Sequence, residues 1–169
     1  IGNRYGITSV YAIDVDNDGD IDVLSASKSD YVDWYENDGS QNFTSHNITT
    51  NADYAMSVYA IDVDGDGDID VLSASMYDDT IAWYENNGSQ NFIEHEITTN
   101  ADMAYSVYAA DVDNDGNMDV LSASSGDDKI VWYESVVTMS ITATNDSSEV
   151  SDGEITNDST LTLTFTTSE

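Results

Sequence analysis

Asp14-Val15-Asp16-Asn17-Asp18-Gly19-Asp20-Ile21-Asp22 is the stretch on which the fold turns, because the chain repeats it twice. The second copy is Asp62-Val-Asp-Gly-Asp-Gly-Asp-Ile-Asp70 and the third is Asp111-Val-Asp-Asn-Asp-Gly-Asn-Met-Asp119. Working outward, the residues before each loop also recur, as Ser9-Val-Tyr-Ala-Ile, Ser57-Val-Tyr-Ala-Ile and Ser106-Val-Tyr-Ala-Ala. The residues after it do the same: Asp-Val-Leu-Ser-Ala-Ser at 22–27, 70–75 and 119–124, then Trp-Tyr-Glu at 34–36, 83–85 and 132–134. Loops that start at 14, 62 and 111 are 48 and 49 residues apart. That period lies in the range of propeller blades and well above helical repeats of about 34 residues.

The flanks of each loop are rich in Val, Ile, Tyr, Trp and Thr, alternate in polarity, and are broken by Asp/Asn/Gly clusters, which is strand and turn chemistry. The expectation is an all-β chain without helices. Each full repeat should give four short strands: one ending near Asp14, then Ile21 to Ser27, Tyr31 to Glu36 and Phe43 to Thr49. The turn Asn37-Asp38-Gly39-Ser40 before the fourth is built from residues that tolerate positive φ. The third copy departs from the pattern after Glu134. From Met139 to Glu169 the chain is rich in Ser, Thr, Asn and Asp, with alternating stretches at Ser140 to Thr144 and Thr160 to Thr166 that predict two strands of a different module.

The loop chemistry is that of a hard cation. Carboxylates at positions 1, 3 and 5 can converge on one ion, and calcium takes 6 to 8 oxygens. A carboxylate at position 9, a backbone carbonyl at position 7 and water would complete the shell. The candidate ligands are therefore Asp14, Asp16, Asp18, Asp20 and Asp22; Asp62, Asp64, Asp66, Asp68 and Asp70; and Asp111, Asp113, Asp115, Asn117 and Asp119. Substitutions between copies agree with this set. Position 7 varies between Asp and Asn, as a carbonyl ligand allows, and position 6 is always glycine, where the sharp turn requires it. Position 4 is Asn17, Gly65 or Asn114, all tolerant of left-handed geometry, and position 8 stays apolar. Ser25, Ser73 and Ser122 stand where an EF-hand needs glutamate, and the flanks are strands. All-oxygen donors disfavour zinc, and an all-protein cage disfavours magnesium.

Composition sets further limits. Against 34 acidic residues stand 3 basic ones, a formal net charge of −31, so nucleic acid and anionic membrane would be repelled. The acid beyond the loops suits salty surroundings, where screening weakens like-charge repulsion. A hydrophobic share of 40% can supply a core, and the absence of cysteine excludes disulfides and thiol chemistry. No apolar run approaches the roughly 18 residues of a membrane-spanning helix. Ile1 to Tyr5 lacks signal-peptide features, so the signal of a secreted form would lie outside this sequence.

Loops of this kind, set in strands and followed by Trp-Tyr-Glu-Asn, resemble the FG-GAP/VCBS repeats of integrin-α-like β-propellers over roughly residues 7 to 134. The resemblance implies one four-stranded blade per repeat, with calcium held between the first two strands by positions 1, 3, 5, 7 and 9. It implies a partial propeller of about three blades in residues 1–135, with repeats at about 7–54, 55–103 and 104–135. Val150-Ser-Asp-Gly and Thr160-Leu-Thr-Leu-Thr-Phe are similar to the start of a bacterial immunoglobulin-like domain, giving a short C-terminal β segment at 136–169. Closed propellers use 4 to 8 blades, so the expectation is a fragment of a longer chain or several copies assembling.

Trp34, Trp83 and Trp132 recur at one position, as do Tyr35, Tyr84 and Tyr133; fixed strand aromatics predict packing between blades rather than a sugar platform. His46 and His95 are repeat-equivalent, which argues against a unique catalytic role. No nucleophile, base and acid set and no phosphate loop stands out, so the chain is not expected to be an enzyme. The leading function is a calcium-binding extracellular propeller module for adhesion or for binding a glycan or protein ligand, within a larger secreted or surface protein of bacterial type. The alternatives are non-catalytic scaffold blades of a polysaccharide-active enzyme and a structural spacer.

Overall fold

Alternation in Ser-Val-Tyr-Ala and Asp-Val-Leu-Ser-Ala-Ser sends successive side chains to opposite faces of a strand, and the Asp/Gly loop between them turns the chain back on itself. The computed structural model describes residues 1–141 and 159–167, and every element in them is a strand. The first sheet contains β1 (Ile7–Ile13), β2 (Asp22–Ser27), β3 (Val32–Asn37) and β4 (Phe43–Thr49). The second contains β5 (Ala55–Ile61), β6 (Asp70–Ser75), β7 (Thr80–Asn86) and β8 (Phe92–Thr98). The third contains β9 (Ala104–Ala110), β10 (Asp119–Ser124), β11 (Lys129–Ile141) and β12 (Ser159–Thr167). Each sheet is antiparallel, with its strands adjacent in sequence order. The all-β architecture of three four-stranded blades expected from the repeats is what the structure shows.

Register is the same in all three. Leu24 lies opposite Tyr11 and Trp34, Leu72 opposite Tyr59 and Trp83, and Leu121 opposite Tyr108 and Trp132. The third sheet takes its outer strand from farther along the chain. β11 runs through Trp-Tyr-Glu to Ile141, and β12 pairs with it from Tyr133↔Thr167 to Ile141↔Ser159. The boundary read at 135/136 thus falls inside β11, while Val150-Ser-Asp-Gly lies outside the described residues.

The cores sit between the sheets. Leu24, Ala26, Val32 and Trp34 of the first pack with Ala55, Val58, Ala60 and Val71 of the second. Leu72, Ala74, Ile81 and Trp83 of the second pack in turn with Ala104, Val107, Ala109 and Val120 of the third. Each sheet therefore gives one face to the next blade, and burying a Leu, Val or Ile side chain there contributes about 1.5–3 kcal/mol. The leading strands β1, β5 and β9 lie side by side, and their tyrosines form a ladder. Tyr11 and Tyr59 are 4.9 Å apart between ring centroids, and Tyr59 and Tyr108 are 4.5 Å apart.

Candidate metal centres

Every β1–β2-type hairpin is closed by one Asp-rich loop. Asp14, Asp16 and Asp18 bring a carboxylate oxygen each to within 4.8 Å of the others, and Asp62, Asp64, Asp66 and Asp111, Asp113, Asp115 do the same. The sequence folds this way because each carboxylate caps the backbone just ahead of it. Asp14 accepts from the Asp18 and Gly19 amides at 3.1 and 2.9 Å, Asp16 from Asp18 at 3.2 Å, and Asp18 from Asp20 at 2.8 Å. The third loop repeats these bonds through Asp111, Asp113 and Asp115. The tight curl demands left-handed backbone: Gly19, Gly67 and Gly116 have φ of 98, 97 and 94°, and position 4 is also positive at Asn17, Gly65 and Asn114.

Crowding is electrostatically adverse without a cation. Asp16 and Asp64 are pushed above the usual carboxylate range, first by burial, and like charge from neighbouring aspartates adds to it. Three carboxylates on one small volume could hold an oxygen-loving divalent ion. Asp14, Asp16 and Asp18 and their counterparts would hold it, and its charge would offset theirs.

The other two predicted positions have different surroundings. At position 7 the Asp20 and Asp68 carboxylates lie against Gly39 and Gly88 of the β3–β4 and β7–β8 turns. Asn117 bonds Asp115 Oδ2 at 2.8 Å. The Asp20 and Asp68 side chains thus point out of the triplet, whereas Asn117 turns back onto its own. At position 9, Asp22, Asp70 and Asp119 are fully buried. Asp22 accepts from Val15 N at 3.1 Å, Trp34 Nε1 at 2.9 Å and Asn37 N at 2.7 Å. Asp70 accepts from Val63 and Asn86, and Asp119 from Val112 and Ser135. Each position 9 carboxylate is thereby tied to both its loop and the third strand. Burial pushes Asp70 up to about 7, against the opposing hydrogen bonds from Asn86, Val63 and Trp83.

Trp34 and Trp83 are buried between blades, hydrogen-bond the position 9 aspartates, and stack on His46 and His95 at 4.5 and 4.6 Å. His46 and His95 each bond the glutamate of Trp-Tyr-Glu at 2.7 Å. Sequence reasoning missed the indole-to-aspartate bond, although the recurrence of Trp 12 or 13 residues after position 9 was its signal. It also missed the buried Asp33, which Arg4 grips at 2.8 and 3.0 Å, a pair that no other repeat contains.

A family model described as an FG-GAP-like repeat matches residues 14–73 and 62–122. No curated protein matches the chain. Each family match begins at the first aspartate of one loop and ends in the strand beyond the next. With all three loops and nine of the twelve strands wholly or partly inside the matched span, the chain belongs to the FG-GAP-like repeat family.

Proposed function

We propose that this chain is a calcium-binding propeller-repeat module, with calcium at each of its three loops and a role in adhesion or ligand binding within a larger secreted or surface protein. The observation that supports it is the threefold recurrence of an aspartate triplet whose oxygens lie within 4.8 Å, in a family of repeat modules that are generally non-catalytic. Positions 7 and 9 join the shell through a carbonyl and, at position 9, through lone pairs left over from the N–H bonds. Millimolar calcium outside the cell suits sites of the affinity seen in extracellular modules, about 10⁻⁴ to 10⁻³ M. The acidic surface supports an extracellular, salt-rich setting.

The test is thermal unfolding in calcium and in chelator. Binding to the folded state alone stabilises by about 2.7 kcal/mol per site when free ion is at about 100 times Kd. The expected outcome is a large upward shift of the midpoint with calcium and a stoichiometry of three by calorimetric titration. An unchanged midpoint would sink the reading.

A further inference from the structure

Trp34, Trp83, Tyr35, Tyr84 and Tyr133 recur from blade to blade and are buried, as a repeating core requires. Tyr54 and Tyr77 do not recur. Gly6 and Met103 stand at the place of Tyr54 in the other copies. Gly126 stands at the place of Tyr77, since its amide makes the same bond to the Asp102 carbonyl that Tyr77 makes to Asp53. Packing of the repeat therefore does not account for these two rings.

Both lie at the junction of the first and second blades, at the end of the sheets opposite the Asp-rich loops, where β2 ends at Ser27 and β5 begins at Ala55. The rings stack with centroids 4.3 Å apart and planes inclined by 24°. Tyr77 is nevertheless 61% exposed, so its outer face is open to solvent. The backbone beneath the pair is fixed. Tyr54 N donates to the Asp30 carboxylate at 3.0 Å, and Met76 N and Tyr77 N donate to the Tyr54 and Asp53 carbonyls at 3.2 Å each. Tyr54 holds φ 59°, in the left-handed region that favours glycine, and the first blade has Gly6 there at 68°. A tyrosine at this turn is thus costlier to the fold than the glycine of the first blade. Lys28 completes the cluster, with Nζ over the Tyr54 ring at 4.9 Å from its centroid. Its ammonium is pushed above the usual lysine range, first by the hydrogen bond to the Tyr54 hydroxyl, with Tyr77 and Tyr105 adding through space.

Charge narrows the class of occupant. The net charge of −31 repels a polyanion, and the Lys28 ammonium beside the stack repels a cationic group at this spot. A neutral ligand meets neither penalty. An open aromatic face suits the C–H face of a pyranose ring. Beside it, the exposed Asp53 carboxylate offers an acceptor and the Lys28 ammonium offers donors for sugar hydroxyls. We propose that the Tyr54–Tyr77 stack is a subsite for a neutral saccharide, with Tyr77 as its platform, which rests on the ligand-binding role proposed above and names its ligand class. The next junction, with Met103 and Gly126 in place of the two tyrosines, has no such platform.

Calorimetric titration of the full chain in calcium with neutral oligosaccharides of glucose, galactose, mannose and N-acetylglucosamine is the test. At least one is expected to bind, with an affinity that salt does not change. Tyr77→Ala alters an exposed ring, so folding is retained, and is expected to weaken that binding by about tenfold or more. Tyr54→Gly, which puts the residue of the first blade at this turn, is expected to do the same. Met103→Ala, at the corresponding place in the next junction, is expected to leave it unchanged. No binding of any of these saccharides, undiminished binding in Tyr77→Ala, or tighter binding of the polyanion polygalacturonate than of the neutral chains would each overturn the proposal. Melting of the same samples with and without calcium reports on the loops separately: a calcium-dependent midpoint without saccharide binding sinks the subsite alone.

Discussion

Asp22 shows how one side chain can serve a loop and a core together. Its carboxylate sits fully buried, yet it accepts from a loop amide, a strand amide and the Trp34 indole. A buried charge is tolerable only when donors surround it. Replacing Trp34 by Phe keeps an aromatic ring and removes one of them. Because hydrogen bonds to charged groups contribute about 1.5–3 kcal/mol, Trp34→Phe is expected to destabilise by an amount within that range, measured by denaturant unfolding in calcium. The triplet Asp14, Asp16 and Asp18 was legible in the sequence because its geometry is local: each carboxylate caps an amide within five residues. The surroundings of Asp22 were not, because Trp34 and Asn37 reach it only through the register of β2 against β3.

Strands here differ in value according to what covers them. Leu72 on β6 is fully buried against the third sheet, while Leu121 on β10 holds the same place in the repeat and is partly exposed. Truncating a buried leucine costs about 2–5 kcal/mol. Leu72→Ala is therefore expected to cost within that range and Leu121→Ala clearly less, by equilibrium unfolding of dilute protein. A reversal of the order would contradict the difference in burial between the two leucines. The strands and their order were readable from alternation and turn chemistry, and β2, β3 and β4 lie within a residue of where those signals put them. β12 was not placed in the third sheet by its sequence, since alternating Thr and Leu says that a strand forms and not which edge it joins.

At the scale of the whole molecule, charge decides the response to pH. In calcium-free solution, Asp70 is held at about 7 by burial, far above the unfolded value near 3.9. The folded state then binds more protons than the unfolded one between those values, so stability falls as pH rises through that window and is greatest at its acid end. Repulsion among 34 acidic residues acts in the same direction. The expected result is a calcium-free midpoint that climbs on acidification from pH 7 to about 5. With calcium bound, protons compete with the ion and the trend reverses. Melting curves at matched ionic strength with and without calcium would show it, and parallel pH trends in the two conditions would contradict it.

Since each hydrophobic core lies between sheets, a blade on its own has two half-cores and no complete one. Stability then belongs to neighbouring pairs, as in a one-dimensional lattice. Such a chain can be lengthened in evolution by duplicating a segment of 48 or 49 residues, because the new unit brings one face that fits its predecessor and one that fits its successor. The near-identity of Ser-Val-Tyr-Ala across the three copies is the trace that this mode of growth leaves in a gene.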